Sequence, residues 1–189
     1  PKYCRIMRID RDIPTDLIAA GVKKSNLREL VKKKMEEKGI ECQCIRCREA
    51  GLAARTKKVK TENAELLRLD YDCCNGKEVF LSFEDVEANV LFGFLRLRKP
   101  FKTFRPELAG NVSGVRELHI YGEQLPLHER QNKAQQHQGF GKRLLEKAEQ
   151  IAREEWKSEK LFVISGVGAR EYYYKQGFKE DGVYVSKRL

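Results

Sequence analysis

The sequence predicts an α/β (α+β) fold, one mixed sheet flanked by helices behind a small helical, Cys-rich segment. Three observations predict it. Beyond about residue 62, apolar residues alternate with polar ones at the two-residue period of strands. A glycine-bearing stretch, Gln136-His137-Gln138-Gly139-Phe140-Gly141, then opens a long run with the period of an amphipathic helix. Strand, short helix and strand patterns follow it. That order builds a layered sheet rather than a helical bundle.

Each element has its own signal. Tyr3, Ile6 and Ile9 point to a strand before Arg11-Asp12-Ile13-Pro14. Asn26 as N-cap with Glu29 three residues on reads as a capping box. Leu27, Leu30, Val31 and Met35 recur at helical spacing, Gly39 supplies the stop, and lysines fill the other face. A polar, basic connector runs to about residue 62. Strands are expected over 66–72, over 78–84 after the turn Asn75-Gly76, over 90–98 and over 115–121. In the third, Leu91, Gly93, Leu95 and Leu97 are expected on one face, and Phe92, Phe94, Arg96 and Arg98 on the other. In the fourth, Val115, Glu117, His119 and Tyr121 are set against Arg116, Leu118 and Ile120. Residues 100–112 read as loop. The helix after the glycine stretch runs to about Trp156 and buries Leu144, Leu145, Ala148, Ile151 and Ala152. A strand over 161–165, a short helix over 169–176 ended by Gly177 and a strand over 183–187 complete the chain.

Composition bounds the function classes. The 189 residues are 41% hydrophobic and 35% charged, a globular balance, with one domain or one plus an appendage expected. No apolar run approaches the roughly 20 residues of a membrane helix, and no signal peptide is visible, so no membrane partner is expected and the location reads as cytoplasmic. The first residue is Pro1 rather than Met, as in a trimmed fragment. Lys and Arg number 38 against 28 acids, a net charge of +10 that favours polyanions such as nucleic acid or phosphorylated cofactors. The basic runs Lys23-Lys24, Lys32-Lys33-Lys34 and Lys57-Lys58-Val59-Lys60 lie in the N-terminal third, and a merely solvated face explains them equally. Of six cysteines, Cys42, Cys44 and Cys47 crowd into six residues. They are too close for a relaxed disulfide framework and read as a metal site.

The glycine stretch is an anion site by construction. The first N–H groups of a helix lack internal partners, the helix dipole favours negative charge there, and glycine lets a phosphate approach. The dinucleotide fingerprint and the phosphate-loop fingerprint both fail here, since only two glycines are present and Gly141-Lys142 is followed by Arg143. Gln136-x-x-Gly139-x-Gly141 instead resembles the acyl-coenzyme A pyrophosphate loop of the GNAT acetyltransferase superfamily. Tyr173-Tyr174-Lys175-Gln176-Gly177-Phe178 resembles the Tyr-x-x-x-Gly-Phe segment that follows that superfamily's fifth strand. The resemblance implies a GNAT-type fold with a mixed, mostly antiparallel central sheet. It implies a pantetheine arm along Glu117, Leu118, His119 and Ile120, and a pyrophosphate on the backbone of Gln138, Gly139, Phe140, Gly141 and Lys142, with charge from Lys142 and Arg143. It also implies that Tyr173 approaches the thioester sulfur, with Tyr172 as support. Three adjacent tyrosines cannot share one face, so packing accounts for at least one.

A longer resemblance narrows the reading. Arg46-Cys47-Arg48-Glu49-Ala50-Gly51, Phe80-Leu81-Ser82-Phe83-Glu84-Asp85, Thr103-Phe104-Arg105-Pro106-Glu107-Leu108 and Val115-Arg116-Glu117-Leu118-His119-Ile120-Tyr121-Gly122 resemble the C-terminal part of the Elongator catalytic subunit family. These are acetyl-CoA-using, radical-SAM tRNA modification proteins. The resemblance implies residues 1–62 as an interdomain segment and 63–189 as the acetyltransferase domain. The 4Fe–4S cluster and S-adenosylmethionine belong to an N-terminal module whose cysteines are not among these residues. Cys42-x-Cys44-x-x-Cys47 resembles the structural zinc site of some prokaryotic members, with Cys4, Cys73, Cys74 or His119 as fourth ligand.

The implied function is the acetyl-CoA half of a carboxymethylation at carbon 5 of the wobble uridine, position 34. The implied partners are tRNA through its anticodon region and the radical-SAM module; a homodimer is also open. Two other readings stand beside it. One is a protein lysine acetyltransferase with Glu117, His119 or Glu107 as general base. The other is a non-catalytic CoA-binding scaffold.

Overall fold

The computed structural model describes residues 1–7, 9, 15–21, 23, 26–54, 59–121 and 138–189. Its centre is a seven-stranded sheet in the order β1-β2-β3-β4-β5-β7-β6. The strands are β1 (Glu65–Cys73), β2 (Gly76–Asp85), β3 (Val90–Lys99), β4 (Val112–Ile120), β5 (Lys160–Val163), β6 (Lys179–Asp181) and β7 (Tyr184–Arg188). Only β4 and β5 pair in parallel; every other pair is antiparallel. The sheet is mixed and mostly antiparallel, as expected. None of the described residues 1–9 forms a strand, so the alternation of Tyr3, Ile6 and Ile9 is not used for pairing.

Helix α4 (Gln138–Glu154) lies across one face. Its expected stripe of Leu144, Leu145, Ala148, Ile151 and Ala152 is buried, and Phe140 joins it against Phe83 at 4.5 Å. The N-terminal segment contains α1 (Leu27–Glu37), α2 (Ile45–Arg48) and α3 (Ala50–Ala53); α2 and the stretch around Tyr3 cover the opposite face, while Ala50 of α3 joins the core on the α4 side. Ile45 is fully buried with Phe80, Leu91 and Phe94, and Tyr3 stacks on Tyr71 with ring centroids 4.0 Å apart. Arg48 fixes this layer: its guanidinium donates to the Glu84 carboxylate at 2.6 Å and to the carbonyls of Gln43 and Lys2, both at 2.9 Å. Helix α1 differs. Asn26 makes no side-chain cap bond; its carbonyl takes the Glu29 and Leu30 N–H groups instead. None of its residues is buried, although Gly39 ends it at φ +66° as expected.

Two β-bulges correct the expected faces. On β2 and β3, Phe83 pairs with Gly93 and Glu84 with Leu91, which leaves Phe92 as an extra residue. Leu91 therefore joins Phe80 and Phe94, whereas Phe92 joins Leu95 and Leu97 under α4. On β3 and β4, Arg96 pairs with Glu117 and Leu97 with Val115, which leaves Arg116 extra. Val115 and Leu118 thus share the α4 face, while Glu117 meets Arg96 on the other. A strict two-residue alternation groups Val115 with Glu117, and one inserted residue breaks that parity.

Candidate active site and thiol cluster

Strands β4 and β5 pair over four residues only, Val112 to Val115 against Lys160 to Val163. β5 then ends while β4 runs on to Ile120, so beyond Val115 the β4 edge has no β5 partner. Helix α4 begins beside that free edge. A Cβ on Gly141 would stand 3.1 Å from the Tyr172 hydroxyl and 3.6 Å from Cγ1 of Ile120, whereas a Cβ on Gly139 would meet none of the described residues within 4 Å. Glycine at 141 thus suits a tight approach, and among the described residues nothing crowds Gly139 in the first turn. Gln136 and His137 lie outside the described residues. Lys142 is exposed 3.7 Å from Glu146, and the Arg143 guanidinium lies 4.5 Å above the Phe83 ring.

Helix α5 (Arg170–Tyr174) brings two phenols to this place. The Tyr172 hydroxyl is buried and has no hydrogen-bond partner among the described residues. Tyr173 packs edge-on to Tyr172 at 5.2 Å and to Phe178 at 5.7 Å. Burial raises both phenol pKa values, that of Tyr173 to about 12 with a smaller contribution from Tyr172. Both are therefore protonated donors at neutral pH. Tyr174 points elsewhere and donates to Glu180 at 3.0 Å. After β5, Ile164 and Val167 are 71% and 84% exposed.

The face opposite α4 is polar around Glu117. Arg96 donates to the Glu117 carboxylate at 3.1 Å, to the Tyr71 hydroxyl at 2.9 Å and to the Tyr3 carbonyl. Tyr71 donates to Glu78 at 2.6 Å, and Arg98 and Arg116 reach the same carboxylate at 3.2 and 2.5 Å. Burial pushes Tyr71 up to about 12, with the Glu78 bond adding to it. Burial alone would raise Glu78, but Tyr71, Arg116 and Arg98 together hold its carboxyl below the ordinary range. Nothing in the sequence pattern announced Arg96 as the partner of Glu117, because the bulge that brings them together is invisible to periodicity. His119 is exposed, its ring 5.3 Å from that of Phe94. Glu107 sits before the other end of β4, paired with Arg105 at 3.0 Å and packed against Gly182.

The three clustered cysteines do converge. The Sγ atoms of Cys42, Cys44 and Cys47 all lie within 4.8 Å of one another, the one such set of three or more ligand side chains among the described residues. Burial opposes ionisation of Cys44, but the N–H groups of Cys47 and Ile6 and the thiols of Cys42 and Cys47 reverse the balance and lower its pKa. Cys47 is pushed up to about 12 by burial and by its two thiol neighbours. The crowding fits a cation, which would let all three ionise. Cys4, Cys73, Cys74 and His119 stand outside the set, although the Cys4 carbonyl accepts the Ile45 N–H at 2.9 Å.

Comparison with known proteins agrees with this geometry. A family model described as acetyltransferase (GNAT) domain matches residues 132–188. The whole chain is 48% identical to "tRNA uridine(34) acetyltransferase" of Methanocaldococcus jannaschii, covering 36% of that protein. It is 52% identical to "Elongator complex protein 3" of Dictyostelium discoideum, covering 34%. The chain thus spans about a third of the length of these relatives. It superposes on the structure of Methanocaldococcus infernus Elp3, bearing an N-terminal deletion, with a TM-score of 0.89 at 46% identity over all of this chain and 45% of that one. No described helix is long and apolar enough to cross a membrane. By identity along its whole length and by its sheet, the chain belongs to the family of Elongator complex protein 3 and tRNA uridine(34) acetyltransferase, whose GNAT-like domain it forms.

Proposed function

We propose that this chain binds acetyl-CoA between β4 and β5 and presents it to a tRNA whose wobble uridine is being modified. The observation that carries the reading is the Tyr172 hydroxyl, buried, without a hydrogen-bond partner among the described residues, and close to Gly141, which also lies near Ile120. It joins the three predicted landmarks (the end of β4, the glycine turn and the tyrosine helix) at one point. In this reading the pyrophosphate sits on the helix N-terminus at the backbone of Gln138, Gly139, Phe140, Gly141 and Lys142, where the helix dipole favours an anion, and the side chains of Lys142 and Arg143 add charge. The pantetheine amides bond to the unpaired β4 edge from Glu117 to Ile120 as an added strand. Tyr173 donates its proton toward the leaving thiolate, and Tyr172 closes the passage beside Gly141. The radical step, with its 4Fe–4S cluster and S-adenosylmethionine, belongs to polypeptide outside these residues.

The same reading gives Cys42, Cys44 and Cys47 a structural zinc, with the fourth ligand from a neighbour. Soft thiolates suit that ion, and it would brace the segment that Arg48 ties to the sheet. The setting is cytoplasmic, and the net charge of +10 serves the tRNA phosphates. The test is calorimetric titration with acetyl-CoA, followed by thioester hydrolysis with and without tRNA. Micromolar binding with hydrolysis stimulated by tRNA is expected. Tyr173→Phe should lower turnover at unchanged affinity, and Tyr172→Phe should mainly weaken binding. Turnover with a lysine peptide but not with tRNA would instead make this a protein acetyltransferase. Absence of acetyl-CoA binding would overturn the reading altogether.

A further inference from the structure

Of the three remaining cysteines, the adjacent Cys73 and Cys74 occupy an unusual position. The β1–β2 hairpin turns through Cys74 and Asn75, at φ +47° and +58°, between the paired residues Cys73 and Gly76. Two left-handed residues in succession make a type I′ turn, which asks for Asn, Asp or Gly at both positions. Asn75 meets that demand and Cys74 does not. A residue held where its backbone is disfavoured invites a functional reading. The turn is also clamped. A Cβ at Gly76 would stand 2.4 Å from the Lys99 carbonyl oxygen, and Arg98 donates to the Cys74 carbonyl at 3.2 Å.

This clamp holds the two thiols side by side, with Cys73 Sγ 3.7 Å from Cys74 Sγ, Cys73 half-buried and Cys74 exposed. Two thiolates on one tetrahedral ion at about 2.3 Å stand about 3.8 Å apart, so the pair already has the spacing of a chelate. A disulfide fits worse. Neighbouring Cα atoms are about 3.8 Å apart, below the roughly 4.4–6.8 Å range of relaxed bridges.

We propose that Cys73 and Cys74 form a vicinal dithiol site that chelates soft thiophilic species, trivalent arsenicals foremost. With a monosubstituted arsenic(III) oxide the balance is complete without an oxidant. Two S–As bonds form, the As–O bonds break, and the two thiol protons leave with the oxygen as water. The site is separate from the Cys42, Cys44 and Cys47 set and does not depend on the acetyl-CoA reading.

The test is intact mass after incubation of the zinc-loaded protein with phenylarsine oxide, then challenge with excess glutathione or with a dithiol. The wild-type chain should carry one more phenylarsenic group than Cys73→Ser or Cys74→Asn. That group should survive glutathione and leave with the dithiol. Asn at position 74 accepts the left-handed backbone, so Cys74→Asn keeps the turn, and its far-ultraviolet spectrum and melting temperature check that it does. Equal adduct counts in wild type and Cys74→Asn would overturn the proposal, as would an adduct that glutathione strips.

Discussion

Replacing Arg48 by Ala tests how the Cys-rich segment is held. Arg48 and Glu84 are 1% and 3% exposed and 2.6 Å apart. Removal of the guanidinium leaves Glu84 with Ser82 at 2.8 Å and with the half-buried Lys2, whose ammonium is 3.6 Å away. The carbonyls of Gln43 and Lys2 lose their donors as well. Breaking one side of a buried ion pair costs about 3–5 kcal/mol, most of it the charge left behind. Some relief from Lys2 places the expected loss near 4 kcal/mol. For a chain of this size that is a fall in Tm of about 8–16 °C. Urea unfolding followed by circular dichroism and by the fluorescence of Trp156 measures it. The double variant Arg48→Met with Glu84→Leu removes both charges and should recover to within about 1–2 kcal/mol of wild type. A single-variant loss below about 1 kcal/mol, or a double variant as unstable as the sum of the singles, would refute this account of the pair.

Three further outcomes are expected. Gly93→Ala brings a Cβ to 2.6 Å from Cδ1 of Ile120 and 2.8 Å from the His119 carbonyl, and should cost about 1–3 kcal/mol while weakening acetyl-CoA binding, both readable by thermal shift with and without ligand. Tyr173 keeps its proton in the folded chain to about pH 12 and loses it near 10 when unfolded, so the unfolded state binds fewer protons between those values. Stability should therefore be intact below pH 10 and fall by about 1.4 kcal/mol per unit above it, a slope that shrinks in Tyr173→Phe. Cys44→Ser should reduce the zinc content of the purified chain to background by elemental analysis and lower Tm, whereas Cys74→Ser should leave zinc unchanged.

The sheet and α4 were legible because their residues obey simple periods. Leu144, Leu145, Ala148 and Ile151 can serve only one helix face, and the Cys42-x-Cys44-x-x-Cys47 spacing brings thiols together in almost any local fold. Bulges were not legible, since Phe92 and Arg116 are each a single residue inserted into an otherwise regular alternation, and only pairing across strands reveals them. Arg48 looked like one basic residue among many. Its partner lies 36 positions away, and burial makes the pair matter. The strand β6 is three residues long and exists because β7 supplies its partner, a tertiary cause no local window contains. At the site, the order of landmarks was readable, while the placing of Tyr172 against Gly141 required the helix crossing to be known.

The short parallel pairing of β4 with β5 has a kinetic consequence. Strands β1 to β4 follow one another antiparallel along the chain, so each can pair soon after its neighbour forms. β5 must instead find β4 across the long crossover from Ile120 to Lys160, at a loop-closure cost of about 3 kcal/mol, for four rungs of ladder. This seam is expected to zip after the β1–β4 meander during folding and to open by local fluctuation more readily than it. A ligand lying along both strands would act as a staple across this seam, worth about 2.7 kcal/mol at a hundredfold excess over its Kd. Amide hydrogen exchange at Leu161, Phe162 and Val163 should slow when acetyl-CoA is added, before any change at β2.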